Sequence, residues 1–166
     1  KANKKNHMDD IMFCRIGDFY EVCVEDAKRC SERLNIAMTH RGKMGGIPIP
    51  MAGMPHHAAS AYIDRITEHG LKVAVCEQIQ DPKDAVGIVK RAIVQVVSPG
   101  MPYDLERTQS HEHRFMTAAH KENDHYFLTA LDFTTGEFFG QKLKTSEDFL
   151  EALRLIGPSE FITYMG

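Results

Sequence analysis

The sequence predicts an α/β protein of the α+β kind, with a mixed sheet flanked by helices. Two observations carry this expectation and a third divides the chain. Short apolar runs with a period of two, rich in Val, Ile, Phe and Tyr, recur along its length. Between them lie segments whose apolar residues fall three and four apart, the spacing of an amphipathic helix. One polar stretch, Met101 to His113, has no clean period. It is the natural linker between a first domain at 1–100 and the beginning of a second at 114–166.

Taken in order, Ile11 to Ile16 and Phe19 to Val24 read as a β-hairpin around a Gly17-Asp18 turn. Glu25 to Leu34 reads as a short helix with Ala27, Cys30 and Leu34 on one face. Ile36 to Thr39 reads as a strand. The Gly- and Pro-rich "HRGKMGGIPIPMAGMPHH" after it reads as a long shaped loop. Ala58 to His69 is a helix with the stripe Ala59, Tyr62, Ile63 and Ile66, ended by Gly70. "LKVAVCEQI" is apolar on both faces and so central in its sheet. After a loop at Asp81 to Gly87, "RAIVQVVSPG" is a strand stopped by Ser98-Pro99-Gly100. In the second set, Phe115 to Ala119, Tyr126 to Phe133 and Glu137 to Leu143 are strands. A helix capped by Thr145 or Ser146 runs to Ile156, and "EFITY" is a further strand.

Composition narrows the function. At 43% hydrophobic residues the chain can fill a core. No run of 18 apolar residues is present, so no membrane span is expected, and the polar start predicts no signal peptide. A chain beginning with Lys1 reads as a piece of a longer one. The spacing of Cys14, Cys23, Cys30 and Cys76 matches no zinc or redox motif, and buried thiols in a reducing cytosol are expected. Residues 1–100 hold 14 Lys/Arg against 12 Asp/Glu, and residues 101–166 hold 6 against 11. That is not the basic footprint of an autonomous DNA-binding domain, so nucleic-acid contact requires a local patch or a larger parent protein.

In the predicted hairpin, alternation puts Tyr20, Val22 and Val24 on the core face and Phe19, Glu21 and Cys23 on the other. A large aromatic and a carboxylate thus project together. Phe19 packed under a loop beside a solvated Glu21 accounts for the pattern. So does a probe of DNA, because apolar wedges enter the minor groove and unstack a base step. A carboxylate beside a wedge repels phosphates, and it rewards only a base that offers it a hydrogen bond.

"GDFYE" closely resembles the Phe-x-Glu mismatch-recognition motif of the MutS family of DNA mismatch repair proteins. "EDAKRCSERLNIAMTHRG", "IPIPMAGMPHHAASAYIDRI", "VAVCEQIQDP" and "VVSPG" resemble successive segments of that family in order and spacing. "LTALDFTTGEF" resembles the start of its RNase H-like connector domain, so the resemblance runs from about Ile11 to Tyr164. It implies that Phe19 stacks on a mispaired or unpaired base from the minor-groove side, that Glu21 hydrogen-bonds that base, and that the duplex bends. It also implies DNA contact at Arg41 and along the Met51–His57 loop, through Met51, Gly53, Pro55 and His56. Physically, Arg41 can reach phosphate or the minor groove, and Gly53 permits close backbone approach. Cys23 and Val24 stand where larger aromatics are common in the family, and Gln95 where some members carry a basic residue. The resemblance further implies a binding fragment with no catalytic residue and no cofactor of its own. The parent would be an ATP- and Mg-dependent cytoplasmic dimer acting on mismatched double-stranded DNA with downstream factors such as MutL.

Other constellations carry less. His56-His57 lacks supporting ligands at zinc-site spacing. "RGKMGG" lacks the phosphate-loop pattern. Asp132 and Glu137, beside a Thr-Thr-Gly turn, are expected to be solvated turn residues, and the histidines around the linker to be mostly exposed. Two other classes remain open at this point. One is a metal-dependent enzyme acting on nucleic acid through Asp132 and Glu137. The other is a protein-interaction module anchored by Phe19.

Overall fold

Ile11–Ile16 (β1) and Phe19–Cys23 (β2) pair antiparallel, with Ile16 opposite Phe19 and Gly17-Asp18 as the two-residue loop. Gly17 has a φ of 60°, which suits a hairpin loop that opens on glycine. The structure is a computed structural model and describes residues 9–34, 36–104 and 113–163, with the backbone alone at 23, 33, 34, 41 and 44. Most of the expected linker, 105–112, lies outside the described residues. Contacts divide the chain into two units, residues 1–97 and 98–166.

In the first unit Glu25–Leu34 (α1) follows the hairpin, as expected. The next segment corrects the sequence reading. Met38–Met44 (β3) and Ile47–Pro55 (β4) form a second antiparallel hairpin where a long loop was expected. Gly45 and Gly46 both have positive φ, 58° and 83°, as a tight turn that twists with its strands requires. The prolines that argued against a strand sit where no partner strand needs an N–H. β2 reaches only to Met51 of β4, so Pro48 and Pro50 lie beyond its end. β3 reaches only from Ile47 to Ala52, so Pro55 lies beyond that one. A register shift between His40 and Lys43 absorbs the remaining irregularity.

The residues His56–Ala58 form a short 3-10 turn leading into Ala59–Glu68 (α2). Val73–Gln78 (β5) and Arg91–Val97 (β6) complete a six-stranded sheet in the order β3-β4-β2-β1-β5-β6. β1 and β5 run parallel and every other pair antiparallel, so the sheet is mixed. Cross-strand partners share a face, which puts Ile11, Phe13, Tyr20, Val22, Ala52, Met54, Val73 and Val75 together. All are buried, and α1 and α2 cover them with Ala27, Cys30, Ala59, Ile63 and Ile66. Each large apolar side chain buried there contributes about 1.5–3 kcal/mol. β5 is buried from Val73 to Cys76 on both faces, as its sequence predicted.

Val24 departs from expectation. It has a φ of 57° and is 42% exposed, so it has left the strand and does not extend the core face. Its N–H donates to the Pro50 carbonyl (2.9 Å), and this turn redirects the chain into α1.

The second unit contains Phe115–Glu122 (β7), His125–Asp132 (β8), Phe138–Leu143 (β9), Ser146–Ile156 (α3) and Glu160–Thr163 (β10). Its four-stranded sheet has the order β10-β7-β8-β9, an antiparallel meander with β10 added parallel to β7. Thr145 caps α3 by accepting the Asp148 N–H (3.1 Å). No described helix is long and apolar enough to cross a membrane.

Candidate nucleic-acid interface

The helix-covered face of the six-stranded sheet is closed, so a site on the sheet must use its other face. The β2–β4 ladder sets what lies there. Phe19 stands opposite Pro55, Glu21 opposite Gly53 and Cys23 opposite Met51. On the other side of β2, Ile16 is opposite Phe19 and Cys14 opposite Glu21. Two cross-strand rows result: Pro55–Phe19–Ile16 at the hairpin tip, and Gly53–Glu21–Cys14 behind it.

Phe19 is 50% exposed, an unusual state for a phenylalanine in an interior strand. Proline and isoleucine flank it, so the ring stands on an apolar, stiff base. Beside it Glu21 is half-buried and Gly53 exposed. Among the described residues, a Cβ at Gly53 would meet only the Tyr20 carbonyl oxygen, at 3.8 Å. The protein therefore has room for a side chain at Gly53, and the glycine leaves bare backbone next to the Glu21 carboxylate.

Of the residues singled out in the sequence, Phe19, Glu21, Met51, Gly53 and Pro55 lie on this one face. His56 follows directly and is exposed, and its N–H donates to the Asp18 carbonyl (2.9 Å). Arg41 lies in β3 within the register shift between His40 and Lys43, and its side chain is outside the described residues. His40, Lys43 and His57 are exposed nearby in β3 and after β4. The flank of the face thus offers the donors and cations that phosphate contact uses.

Sequence reasoning missed the groups that hold the hairpin tip. The β1–β5 ladder ends at Cys14–Cys76, short of the tip. Beyond it, Gln78 Oε1 accepts the Gly17 N–H (3.2 Å) and Arg91 Nε donates to the Arg15 carbonyl (2.8 Å). The Tyr20 hydroxyl also hydrogen-bonds Glu77 Oε1. The available signal was the polar pair Glu77 and Gln78 ending an otherwise apolar strand.

In the second unit, Asp132 overturns the expectation of a solvated turn residue, because it is fully buried. Burial alone pushes its carboxyl up. Hydrogen bonds from the Thr134 hydroxyl (2.6 Å) and amide (2.8 Å), from His113 (3.1 Å) and from the Arg114 amide (3.3 Å) outweigh that effect and hold it down at about 2. Its oxygens are thereby committed to closing a turn and to anchoring His113, whose ring stacks on Phe115. Glu137 is exposed and lies 3.8 Å from His113. Among the described residues no group of His, Cys, Asp and Glu could hold a metal ion. Cys30 and Cys76 are buried, and Cys14 is partly so.

Residues 1–106 match the family model described as MutS domain I. The chain is 42% identical over 159 residues to a protein named DNA mismatch repair protein MutS from Desulfatibacillum aliphaticivorans, covering 96% of this chain and 18% of that protein. It is 46% identical over 140 residues to the protein of that name from Streptococcus thermophilus, covering 84% and 16%. The Bacillus subtilis protein of that name is 40% identical over 159 residues, covering 96% and 18%. The chain spans 16–18% of the length of these relatives. The family model and these relatives together show that the chain belongs to the MutS family.

Proposed function

We propose that this chain recognises mismatched or unpaired bases in duplex DNA and serves DNA mismatch repair by binding, without catalysis of its own. Phe19 enters from the minor groove and stacks on the defective base. Glu21 accepts or donates a hydrogen bond there, and the duplex bends around the pair. The observation that supports this most is Phe19, half-exposed in an interior strand beside Glu21 and the bare backbone of Gly53.

The energetics favour selectivity. Unstacking a base step costs a few kcal/mol, and a mismatched step has already lost part of its stacking and pairing. Saving ~3 kcal/mol at the defect gives about a 150-fold preference. Glu21 acts as the penalty on ordinary duplex, since its charge opposes phosphates unless a base pays it back with a hydrogen bond. We propose further that the full-length protein is an ATP- and Mg-dependent cytoplasmic dimer that clamps DNA and engages downstream factors such as MutL.

The test is equilibrium binding of the full-length protein to a duplex with one unpaired thymine and to its matched control. Phe19→Ala is expected to bring the two affinities together. Glu21→Ala is expected to raise matched binding and narrow the ratio by less. A Phe19→Ala variant that keeps the native ratio defeats the proposal.

A further inference from the structure

On its β5 side the hairpin that carries Phe19 extends past the supporting ladder, whereas on its β4 side the pairing reaches Phe19 itself. β1 pairs with β5 only as far as Cys14–Cys76, so among the described residues Arg15, Ile16 and the Gly17-Asp18 loop have no ladder partner on that side. Two side chains replace the ladder. Gln78 and Arg91 are directly paired at the end of the β5–β6 ladder. Gln78 Oε1 takes the Gly17 N–H (3.2 Å), and Arg91 Nε donates to the Arg15 carbonyl (2.8 Å). Arg91 Nη1 donates to the Val89 carbonyl (3.1 Å), which fixes the guanidinium plane. On the β4 side, His56 N–H holds the Asp18 carbonyl (2.9 Å). The backbone leading into Phe19 is therefore gripped from β5, from β6 and from the 3-10 turn after β4.

We infer that Gln78 and Arg91 are positioning residues for the Phe19 wedge, an inference that rests on the DNA-reading function proposed above. The β4 ladder holds the Phe19 strand as far as Pro55, and on the other side of the hairpin these side chains take over where the β5 ladder stops. A wedge discriminates only if it cannot move aside. With the tip held, binding intact duplex forces Phe19 against a stacked step and incurs the unstacking cost. With the tip loosened, the ring swings out and matched duplex escapes that cost. Gln78 and Arg91 thus act on the ratio of the two affinities, through the backbone, without touching DNA.

The test uses the full-length protein and the same pair of duplexes. Gln78→Leu keeps the size of the side chain and cannot accept the Gly17 N–H. It is expected to lower the mismatched-to-matched ratio about fivefold, the effect of one such hydrogen bond, with a fall of only a few degrees in the thermal midpoint. Gln78→Glu, which still accepts that N–H, restores the ratio, and any added charge repulsion weakens both duplexes alike. Arg91→Lys keeps the charge but not the fixed planar geometry, and it lowers the ratio in the same way. Should Gln78→Leu fold poorly, Arg91→Lys decides by the same readout. Native ratios in Gln78→Leu and Arg91→Lys, with Phe19→Ala abolishing selectivity, overturn the positioning role and leave the wedge standing. A native ratio in Phe19→Ala overturns the wedge itself, and the positioning role with it.

Discussion

Glu21 stands directly opposite Gly53 in the β2–β4 ladder, so a carboxylate faces the one residue of that row with no side chain. Gly in a strand interior weakens the strand and marks a place where another backbone or a ligand comes close. Among the described residues the space above Gly53 is open, and the near neighbour for a Cβ is the Tyr20 carbonyl oxygen at 3.8 Å. Gly53→Ala is therefore expected to fold normally, with stability within ~0.5 kcal/mol of the native chain. The same change is expected to weaken DNA binding by about tenfold, because a methyl group then holds the DNA off the sheet. Thermal unfolding and DNA titration of the two proteins, run side by side, separate the effects. A large loss of stability would show that Gly53 serves the fold instead.

Val24 occupies left-handed backbone, φ 57°, which a β-branched residue tolerates poorly. The position is 42% exposed, so little packing is lost by changing it. Val24→Asn relieves the strain and supplies a side chain able to cap α1, which begins at Glu25. The expected outcome is a gain of about 1 kcal/mol in urea unfolding. A loss would mean that the Val24 side chain contributes packing that outweighs its strain.

Gly100 poses the opposite steric problem from Gly53. A Cβ there would come within 3.0 Å of the Cβ atoms of Glu160 and Met116, neither of which can rotate away. Gly100→Ala is expected to destabilise the second unit by about 1–3 kcal/mol, as overpacking does. Hydrogen exchange of β7 and β10 amides reads this directly: their protection falls while that of β5 is unchanged.

Asp132 makes the second unit acid-sensitive. Its carboxyl is held at about 2 against an ordinary value of 3.8. The folded state binds this proton less readily than the unfolded state. The stabilisation is therefore complete above the unfolded value and disappears as pH falls from about 4 to about 2. Its size is on the order of 2 kcal/mol. Asp132→Asn is expected to unfold more easily at pH 7 and to show a flatter dependence of stability on pH between 4 and 2. An unchanged slope would remove Asp132 as the cause.

Much of this was legible in the sequence because local chemistry and tertiary structure agree. The Gly17-Asp18 turn, the α1 span and the doubly apolar β5 each follow from residues close together in the chain. The β3–β4 hairpin was not legible. Pro48, Pro50 and Pro55 argue against a strand unless one knows how far β2 and β3 reach alongside it, and that is set by pairing distant in sequence. Asp132 was misjudged for a related reason. A carboxylate beside a polar turn reads as solvated, and only the fold brings His113 and the Arg114 amide to it. The alternation rule placed Phe19 and Glu21 on a common face, yet the bonds from Gln78 and Arg91 span 61 and 76 residues, and the polar end of β5 does not say which backbone it meets.

Stacking of the Phe19 ring on the defective base is open to a direct test by photo-crosslinking. The full-length protein is irradiated with a duplex whose single unpaired base is 5-iodouracil, a base that couples efficiently to an aromatic ring stacked on it, and the linked peptide is mapped. A crosslink at Phe19 is expected, absent when the same base is paired in a matched duplex. A crosslink that maps elsewhere, or one formed equally by paired and unpaired base, would contradict the stacking.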